Sequence, residues 1–90
     1  MDSIKEQTVY VLVEVILDHW DYEDSYDTCC YASEEDAKQD LIDRSKSTLD
    51  DLKGKDVEVG FQELDYEHGA ADIQDDHFTW HWEVQKRPID

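Results

Sequence analysis

Bases are scarce in this chain. Eight Lys and Arg face twenty-five Asp and Glu, a net charge of −17 over 90 residues. A surface of that sign repels nucleic-acid phosphates and anionic membranes, so both are excluded as direct partners. Proline, at one, and glycine, at three, are scarcer still. There is accordingly no Pro/Gly/Ser-rich linker and no Gly-rich phosphate loop. The length then suits a single domain over residues 1–90. The only cysteines are adjacent, Cys29 and Cys30. Vicinal cysteines bridge each other only with strain, and the spaced framework of a secreted disulfide scaffold is missing. The apolar run over residues 9–17 is broken by Glu14 and too short to cross a bilayer. No basic segment leads into an apolar run of signal length. A cytoplasmic protein is the expectation.

What is present is enough for a core. Hydrophobic residues make up 39%, with three Trp, five Tyr and two Phe, which argues against a disordered chain. Residues 8–17, TVYVLVEVIL, alternate β-branched residues at period two and predict a central strand, apolar on both faces. Residues 18–27, DHWDYEDSYD, read either as a long hairpin loop or as a continuation of that strand. Residues 28–32, TCCYA, predict a short return strand. Ser33, followed by Glu34, Glu35 and Asp36, is an N-cap with acids in the first turn, and predicts a helix over about residues 34–53. Its apolar stripe is Ala37, Leu41, Ser45, Thr48 and Leu52, with Glu34–Lys38 and Asp40–Arg44 as supporting pairs.

A third strand is predicted over residues 56–64, a loop over 65–76 around Gly69, and a fourth strand carrying Phe78, Trp80, Trp82 and Val84 on one face. The fold class is therefore α+β in the order ββαββ: a four-stranded, mostly antiparallel sheet with one helix packed on one face. Val9, Val11, Val13, Val15, Leu41, Leu52, Val57, Val59, Phe61, Trp80 and Trp82 are the expected core.

Catalytic and metal chemistry find little support. The candidate zinc ligands are His19, Cys29, Cys30, His68, His77 and His81, but no CxxC, HxxxH or HExxH spacing joins them. His77 and His81 on a regular strand would stand roughly 13 Å apart. The calcium-loop signature is absent. Carboxylate pairs abound, which makes any one pair uninformative, and a small domain has little room for a deep pocket. The expectation is no enzyme, no cofactor and no dedicated metal, with a metal-binding domain as an alternative.

The distribution of charge says more than its sum. Residues 18–36 hold Asp18, Asp21, Glu23, Asp24, Asp27, Glu34, Glu35 and Asp36 without a Lys or Arg. Residues 63–77 hold Glu63, Asp65, Glu67, Asp72, Asp75 and Asp76, again without one. A merely solubilising surface mixes signs. Carboxylates two apart on a strand lie about 6.6–6.8 Å apart, close to successive phosphates of a DNA strand. Trp20, Tyr22, Tyr26 and Tyr66 stand among these acids and could anchor an interface or cap the core edge. The predicted partner-binding set is Asp18, Trp20, Asp21, Tyr22, Glu23, Asp24, Tyr26, Asp27, Glu34, Glu35, Asp65, Glu67, Asp75 and Asp76. If both tracts share one end of the sheet, they form a continuous anionic surface. The alternatives are general acidity suited to high salt, and an accessory module that dimerises through a sheet edge or apolar patch.

The segments VYVLVE (9–14), DYEDSYD (21–27) and YASEEDAK (31–38) are similar to small acidic proteins of phages and bacteria. In size and charge the chain resembles phage-encoded inhibitors of host defence, including anti-CRISPR proteins and DNA mimics. That resemblance implies a basic nucleic-acid-binding partner, such as a CRISPR effector or a restriction enzyme, and assigns no catalytic residue.

Overall fold

In the computed structural model, which describes residues 7–89, five strands and one long helix follow in the order β-β-α-β-β-β. The remaining residues of the expected 1–90 domain lie outside the described range. Strand β1 is Gln7–Asp18, β2 is Ser25–Tyr31, helix α1 is Glu34–Gly54, β3 is Phe61–Asp65, β4 is Ala70–Gln74 and β5 is Phe78–Ile89. The sheet order is β2-β1-β5-β4-β3, and every neighbouring pair is antiparallel.

The α+β class with one helix on an antiparallel sheet is as expected, but the sheet has five strands, not four. Residues 57–60 are not strand; β3 starts only at Phe61. The expected loop over residues 65–76 holds a 3-10 turn, Tyr66–His68, and then β4. Gly69, at φ 72°, turns the chain between them in the left-handed region that glycine tolerates. A short polar segment, AADIQ, carried too little alternation to stand out as a strand. It forms because it fills the slot between β5 and β3. Strand β2 also begins at Ser25, so the hairpin loop shrinks to residues 19–24.

Helix α1 follows its sequence closely. The Ser33 hydroxyl accepts the Asp36 N–H at 3.1 Å, and Glu34, Glu35 and Asp36 occupy the first turn. The pairs Glu34–Lys38 (2.9 Å) and Asp40–Arg44 (3.2 Å) form as expected. Ala37, Leu41, Ser45 and Leu52 are buried against the sheet. The Tyr31 hydroxyl on β2 donates to Asp40. That bond, with partial desolvation, pushes the phenol up to about 12.

The core lies on the other face of β1 from the one expected. Its members are Leu12, Ala37, Leu41, Leu52, Ala71, Ile73 and Trp82. Leu12, not the valines, faces the helix; Val57 and Phe61 are exposed. Both faces of TVYVLVEVIL are apolar, and Glu14 marks the even face as solvent-facing by the usual rule. Yet Glu14 turns inward, where it accepts from the Trp82 indole at 2.8 Å and pairs with Arg44 at 3.3 Å. Val9, Val11, Val13 and Val15 therefore lie on the second face of the sheet, opposite Arg87, Gln85, Glu83 and His81 of β5. No described helix covers that face.

Candidate acidic and aromatic interface

The site grows out of one backbone fact: β1 and β5 are antiparallel, so the end of β1 meets the start of β5. Asp18 pairs with Phe78, and the His19 N–H reaches the His77 carbonyl at 2.8 Å. The 19–24 loop and the short turn over residues 75–77 thus stand side by side. Helix α1, running back from the far end of β2, brings its C-terminal turn to the same place.

Asp18 organises the first loop. Its Oδ1 accepts the N–H of Trp20 and of Asp21, each at 3.0 Å, and lies 2.9 Å from Nε2 of His77. Its own N–H donates to Asp24 Oδ1 at 3.2 Å. The Asp21 N–H above all, then that of Trp20 and the charge of His77, holds the Asp18 carboxyl below its usual range despite partial desolvation. Tyr22, at φ 57°, completes the turn, its N–H bonded to the Asp18 carbonyl at 3.0 Å. Asp75 does the same for the second turn, accepting the N–H of His77 (2.8 Å) and of Phe78 (2.6 Å). Short polar side chains that bind backbone two or three residues on are the usual means of fixing such turns.

The two turns together order a row of rings. Trp20 stacks on His77 at 4.1 Å and 11°, His77 stacks on Phe78 at 3.8 Å and 20°, and Phe78 tilts against Trp80 at 5.4 Å. Beside the row lies a half-open cleft of about 380 Å³, walled by Trp20, Phe78, Trp80 and Val57 and rimmed by Asp51, Asp75 and Asp76. Trp20 is 64% exposed, Tyr22 83% and Tyr26 71%. Side chains this exposed contribute little to the core.

The expected site residues divide. Asp18, Trp20, Asp21, Tyr22, Glu23, Asp24, Asp75 and Asp76 meet at this one end. Tyr26 stands on edge strand β2, on the valine face, opposite Val15. Asp27 turns toward the helix and pairs with Arg44 at 3.2 Å. Glu34 and Glu35 sit at the helix N-terminus, about 30 Å away along a 21-residue helix. The Glu67 carbonyl accepts from Lys38 there, and Asp65 caps the 3-10 turn and holds His68 at 2.9 Å. The two tracts therefore do not merge into one surface. The second group is interleaved with Lys38 and Lys86, whereas the cleft beside the first is lined, among the described residues, by one lysine, Lys55, itself paired with Asp51 at 3.1 Å. Tyr66, counted among the acidic-tract aromatics, bonds through its hydroxyl to Ser45 and packs against the core.

His77, Phe78, Trp80 and Asp51 join this candidate site but are not in the expected partner-binding set; from sequence His77 stands only among the candidate zinc ligands and Trp80 only in the expected core. Phe78 and Trp80 had a signal, since alternation placed them on one face. His77 had none, because its partner Asp18 is 59 residues away. Ligand atoms of Asp18, Asp21 and His77 lie within 4.8 Å of one another. The Asp18 oxygen is already taken up by two backbone N–H groups and the imidazole. His81 is far from this group, its two ring nitrogens held by Asp72 and Glu83. Both cysteines are free, Cys29 against Arg44 at 3.2 Å and Cys30 exposed. Among the described residues no helix is long and apolar enough to cross a membrane.

Compared with known proteins, the chain matches no family model, no curated protein and no solved structure.

Proposed function

We propose that this protein is a binding protein whose acidic, aromatic end occupies the Lys/Arg surface that a nucleic-acid-binding protein uses for its nucleic acid. The observation that carries the reading is the Asp18-centred loop. It fixes exposed Trp20 among Asp21, Glu23, Asp24, Asp75 and Asp76, and the lysine beside them among the described residues, Lys55, is paired with Asp51. Carboxylates supply steering and register, and the aromatics supply the contact energy that charge alone does not. The partner class is a host-defence nuclease, such as a CRISPR effector or restriction enzyme, which the resemblance to phage inhibitors favours.

The test is charge reversal where it leaves the loop intact. Asp24 carries a loop hydrogen bond and is a poor choice. Asp21, Glu23 and Asp76 are exposed and have no such duty. The triple variant Asp21→Lys, Glu23→Lys, Asp76→Lys should lose capture of basic partners from a bacterial lysate, which wild type releases along a salt gradient. Undiminished capture by a folded triple variant contradicts the reading.

A second reading rests on the uncovered valine face. Val9, Val11, Val13 and Val15 form an apolar stripe that a second copy of the chain could cover. Light scattering separates the two: apolar dimerisation survives high salt, whereas binding of a basic partner weakens.

A further inference from the structure

We infer that the cleft between the Trp20 ring row and the C-terminal turn of α1 is a pocket for an arginine side chain of the basic partner, an inference that rests on the reading above.

Three independent features converge there. The first is shape and chemistry. The walls are aromatic and aliphatic, Trp20, Phe78, Trp80 and Val57, and the rim is acidic, Asp51, Asp75 and Asp76. A guanidinium has flat, weakly hydrated faces and a fork of N–H donors at its edge, so it satisfies both kinds of surface at once. A compact, strongly hydrated ammonium does not. The second feature is the helix. Asp51 and Leu52 lie in the last turn of α1, where the partial negative charge of the helix C-terminus favours a cation. The third is preorganisation. Trp20 is 64% exposed, yet its backbone is tied by Asp18 and its ring is stacked on His77. A ring already fixed loses little freedom on binding, which is the cost that usually weakens such contacts. Of the basic residues lining the cleft, Lys55 is drawn to Asp51 and His77 to Asp18, which leaves Asp76 and the Oδ2 of Asp75, whose Oδ1 holds the turn, to an incoming cation.

The probe is a blocked Gly-Arg-Gly tripeptide, with Gly-Lys-Gly and the neutral citrulline analogue as comparisons. The readout is the three indole N–H signals in a nitrogen-correlated NMR spectrum of the whole chain. Trp82 is an internal reference, because its Nε1 is bonded to Glu14 inside the core. The arginine peptide should shift Trp20 and Trp80 saturably and leave Trp82 in place, the lysine peptide should bind less tightly, and citrulline should do nothing. Trp20→Ala should weaken binding by about two- to thirtyfold, the range of a cation–π contact from exposed to desolvated. Asp76→Asn, at an exposed position, should weaken it too, and serves if the Trp20 variant does not fold. Equal shifts with all three peptides, or undiminished arginine binding by either folded variant, overturn the pocket. The broader reading fails separately. If the triple charge reversal abolishes capture of the partner but Trp20→Ala and Asp76→Asn leave arginine binding unchanged, the acidic surface stands and the pocket falls. If the arginine peptide binds as described but the triple reversal leaves capture unchanged, the pocket stands alone.

Discussion

The carboxylate of Glu14 accepts a hydrogen bond from the Trp82 indole at 2.8 Å, joining the first and last thirds of the chain inside the core. The same carboxylate pairs with Arg44, which also holds Asp27 and Asp40. Burial works against the charged guanidinium, but its three carboxylate partners more than offset it and raise its pKa. Removing the acceptor leaves a fully buried indole N–H with nothing to bond. Glu14→Ala should therefore destabilise the fold by about 2–4 kcal/mol, and Glu14→Gln, which keeps an acceptor, by less. Urea denaturation of the three proteins checks the order. Equal midpoints for the two variants would mean that charge, not the indole acceptor, is what matters.

The face of β1 is tested by a neighbouring pair. Leu12 is buried under the helix, while Val13 stands on the open face opposite Glu83. Leu12→Ala should cost about 2–5 kcal/mol, the range for truncating a buried leucine. Val13→Ala should cost well below that, roughly 1 kcal/mol or less. A reversed order in thermal melts would return the valines to the core.

Much of the fold was legible because it is written locally. The Ser33 cap, the stripe of α1 and the aromatic alternation of β5 each depend on residues within one element. The failures were of two kinds. AADIQ has no strand signal of its own, so β4 exists only through its neighbours β5 and β3. The face of β1 was misread because Glu14 looks like a solvent residue until Arg44, 30 residues on, and Trp82, 68 on, are brought to it. The site shows the same division. Its acids and Trp20 are plain in the sequence, but the turn that presents them is completed by His77, and the cleft by the end of the helix. Where the acidic tracts lie relative to each other was not readable, because it follows from strand order.

His81 provides a pH test. Its ring nitrogens lie 2.6 Å from Asp72 and 2.9 Å from Glu83. Burial pulls its pKa down, but Glu83 and Asp72 outweigh that and raise it above 6.5. A group raised on folding stabilises fully below its unfolded pKa, and that contribution fades as pH climbs through the folded value. Glu83, lowered from 4.5 chiefly by the bond from His81 and then by Gln85, runs the other way and loses its contribution as pH falls through its folded value. The gap in stability between wild type and His81→Gln should thus be wider at pH 6 than at pH 9. The groups are partly solvent-screened, so the change should be under about 1 kcal/mol. A gap that widens toward pH 9 contradicts the charged triad.

Salt should stabilise the free protein. A net charge of −17 on a domain this small repels itself. Raising ionic strength from about 0.01 M to 0.15 M shortens the screening length from roughly 30 Å to 8 Å. If screening relieves about 1 kcal/mol, Tm rises by roughly 4–8 °C. A Tm that falls over that range would mean that ion pairs such as those of Arg44 outweigh the repulsion.

The central claim is that the acidic end takes the place of nucleic acid, and competition tests it most directly. A basic partner captured from bacterial lysate is loaded with fluorescein-labelled duplex DNA, and the anisotropy is followed as this protein is added. Substitution of one polyanion for another predicts release of the DNA at stoichiometric protein, less effective as salt rises and lost in the Asp21→Lys, Glu23→Lys, Asp76→Lys variant. A complex that holds DNA and protein together, with anisotropy that stays high at saturation, would contradict it.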